Sequence, residues 1–286
     1  MNVTVKDPVT TWTSRLQVAR QAAEAAADAI RDQFGQRFVN AYKGPHDVQL
    51  TADVIAQKVI VDALREACPG YGIVAEEDEF GRWGGEEFLW AVDPLDGTNN
   101  FGYGIAHCAL AISLFHDEDV VLAVVADPLT GRTAHCVRGG PLTPRPVPDA
   151  GTPLHRATVS LVTGYAEDGR AWGHGFAGWM SERCKRVVNM WAPALDLALV
   201  AGGALDAMVC RDAALLDVCA GMFLVAESGG HVVGLDGGPL AVRRSMHQRP
   251  VSFVAARSPV LAADLLEQVR AYDASRRPAH EGAAAG

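Results

Sequence analysis

An apolar segment that runs straight into two carboxylates constrains this chain more than any other feature. Residues 88–92 are all apolar, and the run Asp93-Pro94-Leu95-Asp96-Gly97-Thr98-Asn99-Asn100-Phe101 follows them directly. Because the proline and the glycine of this run favour a tight turn, Asp93 and Asp96 are expected to converge at the end of a buried strand. Two converging carboxylates are costly unless protons or cations lie between them. Oxygen ligands suit Mg²⁺ or Mn²⁺, so this segment predicts a metal site, with an ordinary surface turn as the alternative.

Three further acidic positions stand at the ends of predicted elements. Glu76 follows the short apolar strand 72–75, Asp53 lies near the start of a predicted helix, and Asp217 opens an apolar helix. Each has a simpler explanation on its own, which is a solvated acidic run for the glutamate and helix capping for the two aspartates. Lys43, taken alone, is a solvated loop charge. Each of these positions is therefore a weak signal on its own, although Glu76 would lie beside Asp93 if the two strands pair.

The composition excludes several classes of protein. Of 286 residues, 49% are hydrophobic and 21% are charged, which is typical of a folded globular chain. With 25 Lys and Arg against 34 Asp and Glu, the net charge is -9. The sequence contains no basic stripe, so nucleic acid is not expected as a partner. The longest clean apolar run, 120–126, is far shorter than the roughly 20 residues of a membrane span, so no membrane partner is expected.

The N-terminal residues and the cysteines predict a cytoplasmic protein. Residues 1–12 contain no apolar core of a signal peptide. The six cysteines form no Cys-x-x-Cys pair and have irregular spacings. Such spacings are typical of reduced, buried thiols and argue against a structural zinc site.

Hydrophobic periodicity predicts an α/β (α+β) fold, with meandering strands first and an α/β second half. Helices are predicted over residues 12–34, 51–67, 169–183, 194–201, 217–227 and 259–272. Strands are predicted over 72–75, 88–92, 108–115, 119–126, 157–163, 185–188, 207–210, 231–234 and 251–255. The turn-rich segment 139–153 separates an N-terminal half, 1–145, from a C-terminal half, 146–273. Residues 274–286 are predicted to be a disordered tail.

Together these pieces resemble the inositol monophosphatase family of Mg²⁺-dependent, lithium-sensitive sugar phosphatases. The matching segments occur in the family's order and spacing, at residues 51–53, 73–77, 90–101, 194–197, 216–221 and 227–230. The resemblance covers about residues 12–270. It implies a layered αβαβα sandwich of the inositol monophosphatase and fructose-1,6-bisphosphatase type, and it implies a homodimer.

The resemblance also implies a role for each motif residue. The metal ligands would be Glu76, Asp93, the carbonyl of Leu95, Asp96 and Asp217, which would hold two or three Mg²⁺ ions, with Mn²⁺ as a substitute. The catalytic residues would be Asp53 and Thr98, which orient or deprotonate the attacking water, together with Glu76. The substrate-binding residues would be Gly97, Thr98, Asp96, Asp217, Lys43, Trp191, Ala192, Pro193 and Cys210.

Three positions depart from the family pattern. Leu216 stands where the family has tryptophan before the last metal aspartate, which is a tolerable change. Trp191-Ala192-Pro193 replaces a segment of small residues in the family's substrate pocket, and its proline lacks an N–H donor. Cys210 stands where inositol phosphatases have an acid that meets substrate hydroxyls. These departures leave the alcohol half of the substrate open.

The activity that the resemblance implies is hydrolysis of a small sugar, cyclitol or related phosphate monoester by metal-activated water. Histidinol phosphate, 3'-phosphoadenosine 5'-phosphate, fructose 1,6-bisphosphate and NADP are alternative substrates. An aspartyl-phosphate mechanism of the haloacid-dehalogenase type is disfavoured, because the aspartates of that motif are two positions apart and Asp93 and Asp96 are three apart. A catalytically silent binding or regulatory member of the family is the alternative from another class.

Overall fold

The computed structural model describes residues 8–77 and 83–276. The helices within them are α1 Pro8–Ile30, α2 Thr51–Ala67, α3 Thr98–Tyr103, α4 Glu167–Ser181, α5 Pro193–Gly202, α6 Leu215–Glu227 and α7 Pro259–Arg276. The strands are β1 Val39–Gly44, β2 Asp47–Leu50, β3 Gly72–Ala75, β4 Phe88–Asp96, β5 Ala109–His116, β6 Asp119–Ala126, β7 Thr133–Val137, β8 Thr158–Thr163, β9 Arg186–Val188, β10 Ala207–Ala213, β11 His231–Gly234 and β12 Val251–Ala256. Short 3-10 helices cover Arg31–Gln33, Leu154–Arg156 and Arg244–Gln248.

The first five-stranded sheet has the order β3-β4-β5-β6-β7. β3 and β4 are parallel, and the other neighbours are antiparallel. Alternate side chains of β4 face opposite sides of the sheet, as the pleat of a strand requires. Trp90 and Val92 pack with α1 and α2, whereas Leu89 and Ala91 pack with α5 and α6. Helices therefore cover both faces of this sheet.

The second five-stranded sheet has the order β11-β12-β10-β8-β9. Its inner face packs on α5 and α6, whose apolar side chains share one cluster with residues of both sheets. Its outer face packs on α4 and α7. The layers thus run from α1 and α2 through the first sheet, the α5–α6 pair and the second sheet to α4 and α7. This arrangement confirms the predicted αβαβα sandwich.

Most predicted elements are present with shifted ends. The first helix begins at Pro8, and a 3-10 turn replaces its last predicted residues after Ile30. β4 continues from the predicted 88–92 to Asp96, because its pairing with β5 resumes after an irregularity. α7 continues to Arg276, so the first three residues of the predicted tail are helical. Residues 277–286 lie outside the described residues.

Three strands and one short helix have no counterpart in the sequence prediction, namely β1, β2, β7 and α3. β1 and β2 form an antiparallel hairpin, and the first of them is mostly exposed and lacks an apolar alternation. β7 has five residues and is defined by its pairing with β6. Strands of this kind depend on tertiary pairing more than on their own composition.

The division of the chain near residue 145 stays a prediction. Residues from both sides of that position contribute to the apolar cluster around α5 and α6. Among residues 8–77 and 83–276, no helix combines the length and the apolar character that a bilayer span needs.

The close approach of α5 and α6 depends on Gly221. A β-carbon at this position would lie 2.3 Å from the Cβ of Leu197 on α5. We expect Gly221→Ala to lower the free energy of unfolding by about 2–3 kcal/mol, because the added methyl group forces the two helices apart. Chemical denaturation followed by circular dichroism measures this change.

Gly178 provides a matched control on α4, since a β-carbon there would meet no atom within 4 Å. Gly178→Ala should raise the free energy of unfolding by about 0.5–1 kcal/mol, because alanine is favoured over glycine in a helix. Equal effects of the two substitutions would contradict the tight packing of the central helical layer.

Candidate active site

The end of β4 carries a bulge that brings two carboxylates to one side. Asp93 pairs with Ala111 of β5 and Asp96 pairs with Ala109, so the stretch between the aspartates has one residue more than the opposing stretch. In a regular strand, residues three apart point to opposite faces, and the extra residue cancels that alternation. The N–H of Leu95 donates to Asp93 Oδ1 at 3.1 Å and helps to hold this bend.

Gly97 is the turn residue that the motif requires. Its φ of +81° lies in the left-handed region, which favours glycine. A β-carbon at this position would lie 2.8 Å from the carbonyl oxygen of His107. Conformation and space therefore both select glycine here, and α3 begins at the next residue, Thr98.

Five acidic residues and Leu95, whose carbonyl was named as a metal ligand, line a single cavity of about 90 Å³. The hairpin β1–β2, the end of β3, the end of β4 and the start of α6 contribute Asp47, Glu76, Asp93, Leu95, Asp96 and Asp217. Gly97 and Thr98 line the same cavity. Asp93 and Asp96 are only 3% and 4% exposed. The structure thus brings together all the residues that the sequence analysis named as metal ligands.

These carboxylates disfavour one another's negative charge. Burial raises the pKa of Asp93 well above its ordinary value, and the neighbouring carboxylates, Glu76 first, raise it further. Burial likewise raises the pKa of Asp96, against a hydrogen bond from Leu195 that lowers it. Burial and then Glu76 raise the pKa of Asp217 to about 7. A cluster of this kind is stabilised by cations.

Lys43 brings a positive charge to the edge of the cluster. Its Nζ lies 2.7 Å from Glu76 Oε1 and 2.5 Å from Glu77 Oε1. The side chain of Glu77 is 2% exposed and also accepts a hydrogen bond from Gln49 Nε2 at 2.5 Å. In this arrangement, no three acidic, histidine or cysteine side chains of the described ranges 8–77 and 83–276 stand close enough to enclose a metal ion.

A hydroxyl and a buried carboxylate form a pair beside the cavity. Thr98 Oγ1 lies 2.7 Å from Asp53 Oδ1 and 2.9 Å from the carbonyl oxygen of Leu95. The second carboxylate oxygen of Asp53 accepts the N–H of Leu50 at 2.9 Å, which fixes the side chain at the start of α2. Burial raises the pKa of Asp53 to about 7, against the hydrogen bond from Thr98.

The first turn of α5 holds the opposite side of the site. The N–H of Leu195 donates to Asp96 Oδ2 at 2.9 Å. The next residue, Asp196, is fully buried, accepts a hydrogen bond from Ser160 Oγ at 2.5 Å and lies 2.7 Å from His107 Nε2. These contacts tie α5 to β8 and to the loop after α3. The carboxylate of Asp96 is therefore positioned from several parts of the chain.

Of the residues named for the substrate pocket, some line a cavity and others are buried in the core. Trp191 and Pro193 line the carboxylate cavity and a larger cavity beside it. Ala192 is fully buried, and its Cβ packs behind Gly97. Cys210 is also fully buried, because its place on β10 turns the side chain toward α5 and α6. The expectation that these last two side chains face the pocket is corrected accordingly.

Four residues of the cavity wall have no role assigned from the sequence, namely Asp47, Tyr165 and the motif residues Asn99 and Asn100. Asp47 opens β2 in a polar hairpin, where sequence alone does not separate it from a solvated charge. Tyr165 follows the end of β8. It lies just beyond the predicted strand 157–163, as Asp93 lies just beyond the predicted strand 88–92, and this position is the signal that the sequence contains.

Comparison with known proteins identifies the family. Residues 11–274 match the inositol monophosphatase family. An inositol-1-monophosphatase of Rhizobium meliloti (strain 1021) is 34% identical over 232 residues, which are 78% of this chain and 86% of that protein. A Nus factor SuhB of Xylella fastidiosa is 33% identical over 213 residues, 70% of this chain and 76% of that protein. The structure of a Thermotoga maritima IMPase has a TM-score of 0.80 at 23% identity, and the match covers 92% of this chain and 99% of that one.

The chain therefore belongs to the inositol monophosphatase family, as its motifs indicate. By class it is a phosphoric monoester hydrolase. The likeness to the Thermotoga maritima protein shows that the two chains share the layered fold.

Repulsion among these carboxylates predicts that the stability of the metal-free protein depends on pH. Because burial raises the pKa of Asp217 to about 7, ionising this carboxyl group destabilises the folded state as the pH rises from about 4 to about 7. We expect Asp217→Asn, in a chelating buffer at pH 8, to raise the free energy of unfolding by about 1–2 kcal/mol, which raises Tm by about 2–8 °C. At pH 4.5 the same substitution should change Tm little. Thermal denaturation at the two pH values measures the difference.

The exposed Asp32 provides a control for the loss of one negative charge. Asp32→Asn should leave Tm nearly unchanged at both pH values, because exposed charges are solvated. A lower Tm for Asp217→Asn at pH 8 would contradict the repulsion described above.

Proposed function

We propose that the protein is a Mg²⁺-dependent phosphomonoesterase that hydrolyses a small sugar, cyclitol or related phosphate by direct attack of water. The observation that supports this most is the single cavity in which the motif carboxylates lie beside the Thr98–Asp53 pair. Cations between these carboxylates and a phosphate group would remove the repulsion between two sets of negative charge. An acidic protein can bind an anionic substrate in this way.

The donor set fits Mg²⁺ and Mn²⁺, because it consists of oxygen atoms alone. The groups that would hold the ions are the carboxylates of Glu76, Asp93, Asp96 and Asp217 and the carbonyl of Leu95. Glu76 would exchange its contact with Lys43 for one with a metal ion. When bound, the ions lower the pKa of a water molecule and withdraw negative charge from the phosphate.

Thr98 and Asp53 would orient the attacking water. The Thr98 hydroxyl lines the cavity and would accept a hydrogen bond from the water while it donates its own proton toward Asp53 Oδ1. Since burial raises the pKa of Asp53 to about 7, this carboxylate is suited to accept a proton near neutral pH. The contact with Leu50 keeps Asp53 in place during this transfer.

Gly97 and Thr98 would bind the phosphate through their main-chain N–H groups. The absence of a side chain at Gly97 lets a phosphate approach the backbone closely. In an in-line displacement the leaving alcohol departs on the side opposite to the water. That alcohol would enter the larger cavity, which shares Trp191 and Tyr165 with the carboxylate cavity.

The proposal also includes a cytoplasmic homodimer. The cysteines of the chain are free and buried, which is typical of proteins from a reducing compartment. The exposed side chains of Tyr42, Tyr103 and Ile105 line a surface cavity next to α3. A second copy of the chain would cover these exposed side chains.

Phosphate release with and without Mg²⁺ tests the activity. The substrates are myo-inositol 1-phosphate, fructose 1,6-bisphosphate, histidinol phosphate, 3'-phosphoadenosine 5'-phosphate and NADP. We expect Mg²⁺-dependent release from at least one of them. Asp93→Asn should lower kcat by roughly a thousandfold or more, because it removes a metal-binding charge at nearly constant side-chain volume.

Asp32→Asn serves as the control and should keep wild-type kcat. Sedimentation and circular dichroism of all three proteins show whether the variants retain the fold and the homodimer. Wild-type activity in Asp93→Asn would exclude the proposed mechanism. Absence of both turnover and Mg²⁺ binding in the wild-type protein would instead favour a catalytically silent family member.

A double-mutant cycle tests the pair that orients the water. Thr98→Ala and Asp53→Asn should each lower kcat by about 10²–10³-fold. Because the two side chains act on the same water, the double variant should be no slower than the slower single variant. Fold losses that multiply would show that the two residues act independently.

A further inference from the structure

The larger cavity beside the carboxylates has a volume of about 660 Å³ and is lined by four rings, those of Trp83, Tyr165, Trp191 and His247. Trp83 stacks on His247 with ring centroids 5.1 Å apart. Tyr165 meets Trp191 edge to face, with centroids 4.5 Å apart. Tyr165 and Trp191 also line the carboxylate cavity. A substrate whose phosphate lies among the carboxylates would therefore place its alcohol half against this aromatic wall.

The backbone around Trp191 sets the indole between the two cavities. Its φ of +49° lies in the left-handed region, which a bulky residue rarely adopts. The preceding carbonyl, of Met190, accepts a hydrogen bond from Asn100 Nδ2 at 2.5 Å, and the following residue, Ala192, is fully buried. Contacts on both sides thus maintain a strained conformation. Strain of this kind is concentrated at functional sites.

Polar side chains also line this cavity, among them Thr163, Asp212, Gln248 and Arg249. Cys210 is buried in the core and presents nothing to the cavity. Asp212, on the wall, already accepts a hydrogen bond from Ser252 Oγ at 3.1 Å and lies 3.7 Å from the Nε of Arg211. Val162, Leu216 and Pro250 add apolar surface to the same wall.

A planar ring and a polyol make different demands on such a wall. A cyclitol or sugar carries hydroxyls around its ring, and burying them without partners is costly. A planar ring with few polar atoms needs no such partners and gains from contact with the faces and edges of aromatic side chains. The four rings therefore favour the second kind of alcohol, and the polar side chains of the wall can meet substituents on its ring.

We propose that Trp191 is a specificity-determining residue that selects phosphate monoesters whose alcohol carries a planar ring. Tyr165 and the Trp83–His247 stack complete the subsite for this ring. The inference rests on the proposed phosphatase activity and names the substrate class for the same site. Trp191 contacts the alcohol half, and the reacting atoms lie with the carboxylates and Thr98.

A comparison of esters tests the selection. Benzyl phosphate presents a planar ring, myo-inositol 1-phosphate a polyol, and glycerol 2-phosphate a small alcohol without a ring. We expect wild-type kcat/KM to be at least about tenfold higher for benzyl phosphate than for myo-inositol 1-phosphate. Trp191→Leu should reduce this ratio about tenfold, and it should lower kcat/KM for benzyl phosphate more than kcat/KM for glycerol 2-phosphate.

Trp191→Phe is the matched variant, because it keeps an aromatic face at the same position. Its ratio of kcat/KM values should stay within about threefold of the wild-type ratio. Thermal denaturation of both variants checks that the fold is retained. A wild-type preference for myo-inositol 1-phosphate, or an unchanged ratio in Trp191→Leu, would overturn the inference.

A binding measurement separates this inference from the proposed function. Benzylphosphonate, which is not hydrolysed, is titrated by calorimetry in the presence of Mg²⁺. The Kd should be about tenfold higher for Trp191→Leu than for the wild-type protein and Trp191→Phe. If no ester is hydrolysed and this difference is present, the proposed activity fails and the aromatic subsite stands. If esters are hydrolysed and Kd is the same in all three proteins, the activity stands and the subsite fails.

Discussion

Electrostatic repulsion among buried carboxylates is the constraint on which the rest of this structure depends. Asp93 and Asp96 are almost completely buried, and Asp217 faces the same small cavity. Main-chain N–H groups hold the first two carboxylates, and a lysine neutralises Glu76. Each of these contacts comes from a different element, so the sheet, the central helices and the β1–β2 hairpin all serve to keep like charges together. Stability is thereby reduced at the place where the chemistry requires charge.

The motif that ends β4 could be predicted from sequence because it combines two unambiguous signals. Residues 88–92 are continuously apolar, and the polar run that follows has residues with strong turn preferences. The other carboxylates of the cavity come from distant positions in the chain, namely Asp47, Glu76 and Asp217. Asp53 and Asp217 were found through their resemblance to a family and not through local pattern, since an aspartate near a helix start is usually only a cap.

The parts that sequence did not predict depend on tertiary contacts. The hairpin β1–β2 carries Asp47 to the cavity, and its exposed first strand has no apolar alternation to reveal it. The burial of Ala192 and Cys210 follows from how α5 and β10 pack in the tertiary structure, and no local sequence pattern predicts that packing. The left-handed conformation of Trp191 likewise results from its neighbours, because a tryptophan on its own disfavours that conformation.

Membership of a family does not by itself define the alcohol that a member accepts. Relatives at similar identity carry the names inositol-1-monophosphatase and Nus factor SuhB. A fold positions a site, and the side chains around that site determine what it binds. In this chain the wall of the larger cavity includes aromatic rings contributed by the loop before β4, the segment after β8 and the turn before α5.

The location of α5 and α6 between the two sheets has a consequence for how the site is assembled. Asp93 and Asp96 belong to the first sheet, Asp217 to the central helices, and Tyr165 to the end of a strand in the second sheet. Neither half of the chain contains the whole site. The central helices contribute to it as well, since α5 carries Leu195 and α6 carries Asp217. The site is therefore complete only when both sheets are packed on the central helices, so that a chain in which either sheet is unfolded has no complete centre.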